Sequence, residues 1–129
     1  MSADLVSRAR AAMRNAHCPY SRFHVGAAIE ATDGKLYAGC NVESASYGVT
    51  ICAERMAVGA MVAGGGKGIR RIVVTTEVDP PAAPCGACRQ LLAEFGLDFD
   101  VLAVGPGSER RWTLRQLLPD AFTGEALER

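Results

Sequence analysis

Residues 71–105 read RIVVTTEVDPPAAPCGACRQLLAEFGLDFDVLAVG, and this stretch contains the unit from which the fold is inferred. Its β-branched start at 71–76 predicts a strand. The segment after Pro84 predicts a helix, because proline favours the first helical position. Residues 100–105 form a short apolar run that is typical of a buried strand. A strand, a helix and a second strand in this order predict helices packed against a sheet.

Before this unit, the chain has a predicted helix, a hairpin of two strands and a second helix. One more predicted helix follows the unit. The dipeptide Asp33-Gly34 is a strong hairpin signal between two strands. The other predicted elements are a helix at 3–16, strands at 23–30 and about 35–42, and helices at 52–63 and 113–118. The pattern predicts one domain over residues 1–129, in which helices pack against a mixed sheet.

The composition excludes several classes of protein. Of the 129 residues, 49% are hydrophobic and 22% are charged, which argues against disorder. Lys+Arg and Asp+Glu both number 14, so there is no basic excess for binding a nucleic acid polymer. The longest apolar stretch, at 57–66, is far shorter than the ~20 residues of a membrane-spanning helix. We find no secretory signal pattern, so we expect a cytoplasmic protein without a membrane partner.

Three of the five cysteines have the spacing of metal ligands. Cys85 and Cys88 form a Cys-x-x-Cys motif beside the start of one predicted helix, and Cys52 stands at the start of another. Unpaired backbone N–H groups at helix starts favour thiolate over thiol. Three protein ligands leave a fourth position for water, whose pKa zinc lowers towards ~7. These cysteines therefore predict one catalytic zinc ion.

A carboxylate and an arginine accompany the predicted ligands. Glu54 stands two residues after Cys52, where it can move protons for a zinc hydrolase or deaminase. Three thiolates and one zinc ion carry a net negative charge, which weakens the metal as a Lewis acid. A guanidinium that donates to the sulfurs would restore some of that acidity. Arg55 and Arg89 each directly follow a cysteine motif, and we favour Arg55 for this role.

These motifs resemble the short, homotetrameric cytidine deaminase family, and the resemblance extends over nearly the whole chain. First-motif Cys52 is typical of the branch that acts on free nucleosides, since nucleotide and tRNA deaminases usually carry histidine there. The matching segments are CPYSRFHVGAA at 18–28, GCNVESASYG at 39–48, CAER at 52–55, PCGACRQ at 84–90 and LLPDAF at 117–122.

The resemblance implies a three-layer α-β-α sandwich around a mixed five-stranded sheet, assembled as a homotetramer with one Zn²⁺ per subunit. It implies hydrolytic deamination of cytidine and 2′-deoxycytidine to uridine and 2′-deoxyuridine, with release of ammonia, in pyrimidine salvage. Glu54 would take a proton from the zinc-bound water, deliver it to N3, and then protonate the leaving amino group.

The resemblance also implies the substrate-binding residues. Asn41 and Glu43, two apart on an extended segment, would face the same way and bind ribose hydroxyls. Phe23 and Phe122 would flank the pyrimidine, and Tyr47 would lie near the sugar, with Phe122 and Tyr47 supplied by neighbouring subunits. The complete set that it implies is Phe23, Asn41, Glu43, Tyr47, Ala53 and Phe122.

Four other interpretations compete with a cytidine deaminase. A deaminase of a modified nucleoside, such as blasticidin S, would share the zinc motifs. A polynucleotide deaminase is disfavoured by the zero net charge and by Cys52. A structural zinc module would need a fourth ligand, for which Cys40 and His24 are the candidates, and it leaves Glu54 without a role. A redox Cys-x-x-Cys protein would leave it without a role as well.

Overall fold

A mixed sheet of five strands forms the centre of the protein. The computed structural model describes residues 2–128. The strands are β1 (Val25–Ala31), β2 (Leu36–Cys40), β3 (Ile69–Thr76), β4 (Asp100–Val104) and β5 (Glu109–Thr113). Their order across the sheet is β2-β1-β3-β4-β5. Only β3 and β4 run parallel, and the other neighbouring pairs are antiparallel. The predicted mixed, five-stranded sheet is confirmed.

Helices cover both faces of this sheet. They are α1 (Ser2–Met13), α2 (Ala53–Ala63), α3 (Gly86–Leu92) and α4 (Leu114–Leu117). Successive strand residues point to opposite faces of the sheet, so the hydrophobic core has two parts, one on each face. The α1 side contains Leu5, Ala9, Ala28, Val73, Leu102 and Val104. The side of α2, α3 and α4 contains Ile29, Met61, Ile72, Leu92, Val101 and Leu114. The predicted three-layer arrangement is therefore confirmed.

Two glycines let helices lie directly against the sheet. A Cβ atom at Gly26 of β1 would stand 2.0 Å from the carbonyl oxygen of Ala9 in α1. A Cβ atom at Gly39 of β2 would stand 2.5 Å from the backbone nitrogen of Ala57 in α2. Only hydrogen fits at either position, because backbone atoms cannot move aside as a flexible side chain does. The close contact at Gly39 places the first turns of α2 over β2.

Strand β5 is the element that the residue pattern did not predict. Its sequence, ERRWT, lacks the apolar alternation of a half-buried strand. It pairs antiparallel with β4 at the edge of the sheet, where Trp112 lies opposite Val101. Trp112 packs against the core, while Arg110 and Arg111 remain exposed. The long-range pairing with β4 therefore holds this polar segment in the sheet.

Element boundaries differ from prediction for local reasons. The first helix ends at Met13, before residue 16, and a turn follows in which the Asn15 N–H donates to the Ala12 carbonyl at 2.9 Å. The first strand begins at Val25 and not at residue 23. The Asn41 side chain accepts from the Val25 N–H and donates to the Phe23 carbonyl, so these two backbone groups do not bond to a neighbouring strand. Along residues 2–128, no helix has the length and apolar character needed to cross a membrane.

Candidate active site

The three predicted metal ligands come together where α2 and α3 begin. Cys52 is the N-cap of α2, Cys85 is the N-cap of α3, and Cys88 lies in the first turn of α3. The Sγ atoms of Cys52 and Cys85 are 3.9 Å apart, and those of Cys85 and Cys88 are 3.2 Å apart. All three sulfurs lie within 4.8 Å of one another. The two helix N-termini thus bring the three sulfur atoms together in one cluster.

The cluster contains an acidic thiol. Hydrogen bonding to Cys88, then to Arg55 and Cys85, lowers the pKa of Cys52 to about 5. The pKa of Cys88 is raised, because its thiol donates to Cys52 and because it is buried. Sulfurs this close would repel one another once all are ionised, and a soft divalent cation would offset that repulsion.

Within residues 2–128, this is the one group of three or more His, Cys, Asp and Glu side chains placed to hold a metal ion. The candidates for a fourth protein ligand lie outside the group. Cys40 is not part of it, and the Nδ1 atom of His24 lies 3.0 Å from the Glu77 carboxylate. Three sulfur ligands and an open fourth position are the arrangement of a catalytic zinc site.

Glu54 lies in the first turn of α2 and is buried, with 5% of its surface exposed. Burial raises the pKa of its carboxyl group, and the nearby Cys52 thiolate raises it further. A general acid–base group works best when its pKa lies near the working pH, and a raised pKa moves a carboxyl group in that direction. Its position beside the sulfurs therefore suits it for proton transfer at the metal site.

A cavity of about 260 Å³ opens beside the sulfurs and the carboxyl group. Most of its wall is apolar, and Glu54 and Asn41 are among its polar groups. Six of the predicted site residues line it: Phe23, Asn41, Cys52, Ala53, Glu54 and Cys85. The structure thus brings the metal cluster, the carboxyl group and the predicted aromatic wall to one cavity.

Asn41 lines this cavity and also holds the chain on either side of His24. Its Oδ1 atom accepts from the Val25 N–H at 2.9 Å, and its Nδ2 atom donates to the Phe23 carbonyl at 2.8 Å. Asn41 is buried, with 8% of its surface exposed. A side-chain amide has two N–H donors, so one remains for a ligand while the other orients Phe23.

Glu43 lines an adjoining cavity of about 370 Å³ together with Tyr20, Ser21, Tyr47 and Thr50. Its carboxylate accepts from the backbone N–H groups of Tyr20 and Ser21, each at 3.1 Å, and from the Ser21 hydroxyl. The Ser21 hydroxyl, followed by these N–H groups, lowers the pKa of Glu43. Thr50 lines both cavities, so the two adjoin at this residue.

Tyr47 and Phe122 lie outside the cavity that contains Glu54. Tyr47 is 76% exposed and packs edge-to-face on Tyr20, with ring centroids 6.2 Å apart. Phe122 is 60% exposed and lies in the C-terminal segment, where its carbonyl accepts from the Gln90 side chain at 2.8 Å. Neither ring belongs to the wall of the cavity beside the sulfurs.

Of the two candidate arginines, Arg55 is the one that faces the sulfurs. Its hydrogen bond with Cys52 raises the pKa of the guanidinium, which also donates to the Thr50 carbonyl at 3.1 Å. Its buried Nε atom has no hydrogen-bond partner in the described part of the chain. Arg89 instead donates to the carbonyls of Pro84 and Leu117, at 2.7 and 2.9 Å.

Comparison with known proteins identifies the family. Residues 2–103 match the model of the cytidine and deoxycytidylate deaminase zinc-binding region. The chain belongs to this deaminase family. A probable cytidine deaminase of Dictyostelium discoideum is 45% identical over 124 residues, covering 95% of this chain and 84% of the relative. The cytidine deaminase of Sporosarcina psychrophila is 41% identical, with coverages of 95% and 92%.

Solved structures of the deaminase family share the fold. The crystal structure of cytidine deaminase from Burkholderia pseudomallei superposes with a TM-score of 0.90 at 44% identity, covering 95% of this chain and 99% of that one. The matched zinc-binding region includes all three clustered cysteines, so the predicted zinc cofactor is confirmed. A blasticidin-S deaminase of Bacillus cereus is also similar, at 33% identity over 111 residues, 80% of this chain and 79% of that one.

Several residues that line the cavity beside Glu54 were not predicted. Thr76 at the end of β3 and the pair Ala82 and Ala83 before α3 belong to its wall, as does Thr50. Small and hydroxylated side chains carry no metal or acid–base signal in a sequence. The position of the alanines just before the Cys-x-x-Cys motif is the one cue that places them near the site.

Proposed function

We propose that this protein is a zinc-dependent cytidine deaminase, a single domain that hydrolyses cytidine and 2′-deoxycytidine to uridine and 2′-deoxyuridine with release of ammonia. One observation carries the proposal: the buried carboxyl group of Glu54 lines the same apolar cavity as Cys52 and Cys85 of the three-sulfur cluster. A proton carrier and a Lewis-acid site that share one apolar cavity suit the hydrolysis of a weak electrophile such as C4 of cytosine.

The three cysteines would hold the zinc ion, and Arg55 donates to the sulfur of Cys52. When bound, zinc supplies the Lewis acidity that makes water a nucleophile at neutral pH. Glu54 takes one proton from the attacking water and delivers it to N3 while the water oxygen bonds to C4. Glu54 then moves the remaining hydroxyl proton to the amino nitrogen. The C4–N bond breaks, the C4 carbonyl forms, and ammonia leaves.

The other cavity residues orient the nucleoside. Phe23 presents its ring to one face of the pyrimidine. The hydrogen bond from the Asn41 side chain to the Phe23 carbonyl holds this residue in place. Ala53 is the first residue of α2, and its N–H is among those without an intrahelical partner, so its main chain can donate to the base. The spare N–H of Asn41 and the Glu43 carboxylate bind ribose hydroxyls across the junction of the two cavities.

The active form is a homotetramer in which Tyr47 and Phe122 enter the sites of neighbouring subunits. Their exposure in a single subunit supports this arrangement, because large exposed apolar groups mark interaction surfaces. Further exposed apolar side chains are Tyr20, Val49, Ile51, Met56 and Val62. Closing the cavity with the rings of Tyr47 and Phe122 would exclude water and strengthen the electrostatic interactions inside the cavity.

Free nucleosides are the substrates, in pyrimidine salvage in the cytoplasm. A ligand set of three cysteines suits a reducing compartment, where thiols stay reduced. The zero net charge supports a small nucleoside over a polynucleotide. Deamination of blasticidin S is the second candidate, because the similar Bacillus cereus protein carries that name.

Loss of the cytosine chromophore tests the proposal. Zinc-loaded protein is mixed with cytidine and followed by ultraviolet absorbance, beside Glu54→Gln and the control Glu94→Gln, which makes the same change at an exposed acid. We expect Glu54→Gln to lose at least about 10²-fold in kcat with its zinc retained, and the control to match the unsubstituted protein. Turnover of blasticidin S without turnover of cytidine would overturn the proposal in favour of the second candidate.

A further inference from the structure

Three consecutive residues of α3 serve three different parts of the molecule. Cys88 belongs to the metal cluster. Arg89 donates from Nε to the Pro84 carbonyl and from a terminal nitrogen to the Leu117 carbonyl. Gln90 donates from Nε2 to the Phe122 carbonyl at 2.8 Å. The metal-binding helix is thus bonded to both ends of the segment 117–122.

That segment packs against the core at its start, through Leu117 and Leu118. It starts where α4 ends, and Arg89 satisfies the last carbonyl of α4, which has no intrahelical partner. The chain then turns at Asp120, whose φ of 52° lies in the left-handed region. Phe122 follows with its ring 60% exposed, so packing within the subunit does not hold the ring. The bond from Gln90 holds the backbone from which the ring projects.

We propose that Gln90 is a positioning residue that sets the placement of Phe122, and that it thereby affects substrate binding in a neighbouring subunit. The inference rests on the proposed function, in which Phe122 closes the neighbour's cavity. Because Gln90 follows Cys88 by two positions on one helix turn, the metal site of one subunit and the ring it contributes share the same rigid support. Gln90 itself lies outside the cavity that contains Glu54.

The chemistry of the bond defines the variant that tests it. Gln90→Glu keeps the length of the side chain but replaces the donating amide by an acceptor, which cannot bond to a carbonyl. Gln116→Glu is the matched control. Gln116 closes a capping box by accepting from the Thr113 N–H at 2.9 Å, and glutamate serves equally in that motif. Both side chains are exposed, so both variants should fold.

The experiment measures kcat, KM for cytidine, bound zinc and hydrogen exchange of residues 118–124. We expect Gln90→Glu to raise KM about two- to ten-fold, the effect of losing one hydrogen bond, with kcat and bound zinc within two-fold. Exchange in the segment should be faster. Gln116→Glu should match the unsubstituted protein in all four measurements.

A double-substitution cycle separates positioning from a general structural effect. In a Phe122→Leu background, the additional Gln90→Glu change should no longer raise KM, because the ring that Gln90 places is absent. An unchanged KM in the single variant, or an undiminished effect in the Phe122→Leu background, overturns the inference. If the unsubstituted protein does not deaminate cytidine, the proposed function fails, and unaltered hydrogen exchange in Gln90→Glu then overturns this inference as well.

Discussion

The Sγ atoms of Cys52 and Cys85 lie 3.9 Å apart, although 33 positions separate the residues in the chain. Each cysteine caps the start of a helix, and the two helices begin side by side on the same face of the sheet. Helix N-termini stabilise negative charge, so both helices direct their positive ends at the sulfurs that would bind a cation. The spatial relationship makes a three-sulfur metal site out of one motif and a distant cysteine.

Replacing any one of the clustered cysteines by alanine should remove the metal. We expect Cys52→Ala, Cys85→Ala and Cys88→Ala to lose zinc on dialysis and to unfold at lower temperature, because metal binding stabilises only the folded state. Cys40→Ala, outside the cluster, is the control and should keep about one zinc per chain. Zinc content and thermal unfolding are the measurements. Full zinc retention in Cys85→Ala would contradict the ligand assignment.

Arg55 should tune the metal site through its bond to Cys52. We expect Arg55→Gln to lower kcat or zinc retention by about ten- to a hundred-fold, as is typical when a residue that orients a metal ligand is removed. Arg55→Lys should recover part of the loss, since it keeps the charge without the planar fork. Arg8→Gln, on the exposed side of α1, is the control. Equal activity and zinc retention in Arg55→Gln and Arg8→Gln would show that the sulfurs do not need the guanidinium.

Glu43 should make stability depend on pH in the acid range. Its pKa is lowered in the folded state from an ordinary value of 4.5, chiefly by the Ser21 hydroxyl. A lowered pKa means that the stabilisation is fully present above the unfolded value and is lost as the pH falls through the folded value. Glu43→Gln should therefore be less stable than the unsubstituted protein at pH 7.

Urea midpoints measured from pH 7 down to the acid range would test this dependence. The gap between Glu43→Gln and the unsubstituted protein should narrow as the pH falls below 4.5. Glu94→Gln, at an exposed acid, should show no such narrowing. A gap for Glu43→Gln that stays constant over the whole range would mean that the ionised carboxylate does not hold the segment of Tyr20 and Ser21.

Sharing of sites between subunits should appear when two impaired variants are mixed. Glu54→Gln lacks the proton carrier but presents an intact Phe122, whereas Phe122→Ala keeps the proton carrier. Unfolding and refolding the two together should restore activity above that of either alone, because some intact cavities then receive an intact ring. Sedimentation would report the size of the assembly.

The control for this mixing experiment uses the double variant Glu54→Gln/Phe122→Ala in place of Glu54→Gln. It forms the same mixed assemblies but supplies no Phe122 ring, so no recovery is expected. Equal activity in the two mixtures would refute the shared site. A fully active monomer in sedimentation would do so too.

Short stretches of sequence predicted those strands and turns that have a characteristic residue pattern of their own. The alternation that leads into β1, the hairpin at Asp33-Gly34 and the β-branched run of β3 were all predicted from short windows. Strand β5 was missed by such windows, because the strand-forming tendency of Glu109–Thr113 comes from its pairing with β4. The family resemblance supplied the fifth strand because it compares the whole chain.

The candidate site divides in the same way. Residue chemistry and spacing alone pointed to Cys52, Cys85, Cys88 and Glu54, since three cysteines with metal-ligand spacing and an adjacent carboxyl group together match a catalytic zinc site. The choice between Arg55 and Arg89 needed the structure. Both follow a cysteine motif, yet only one guanidinium faces the sulfurs, and the other is bonded to two carbonyls.

The order of residues in this chain therefore specifies which groups can bind a metal and move a proton, because those properties belong to the side chains themselves. Their meeting depends on packing: Gly39 admits α2 onto β2, and the N-termini of α2 and α3 then lie together. Burial of Glu54, the bonds of Asn41 to both sides of His24, and the attachment of Phe122 to Gln90 arise at the same stage. Burial and these bonds depend on residues that are distant in the chain, so no local pattern contains them.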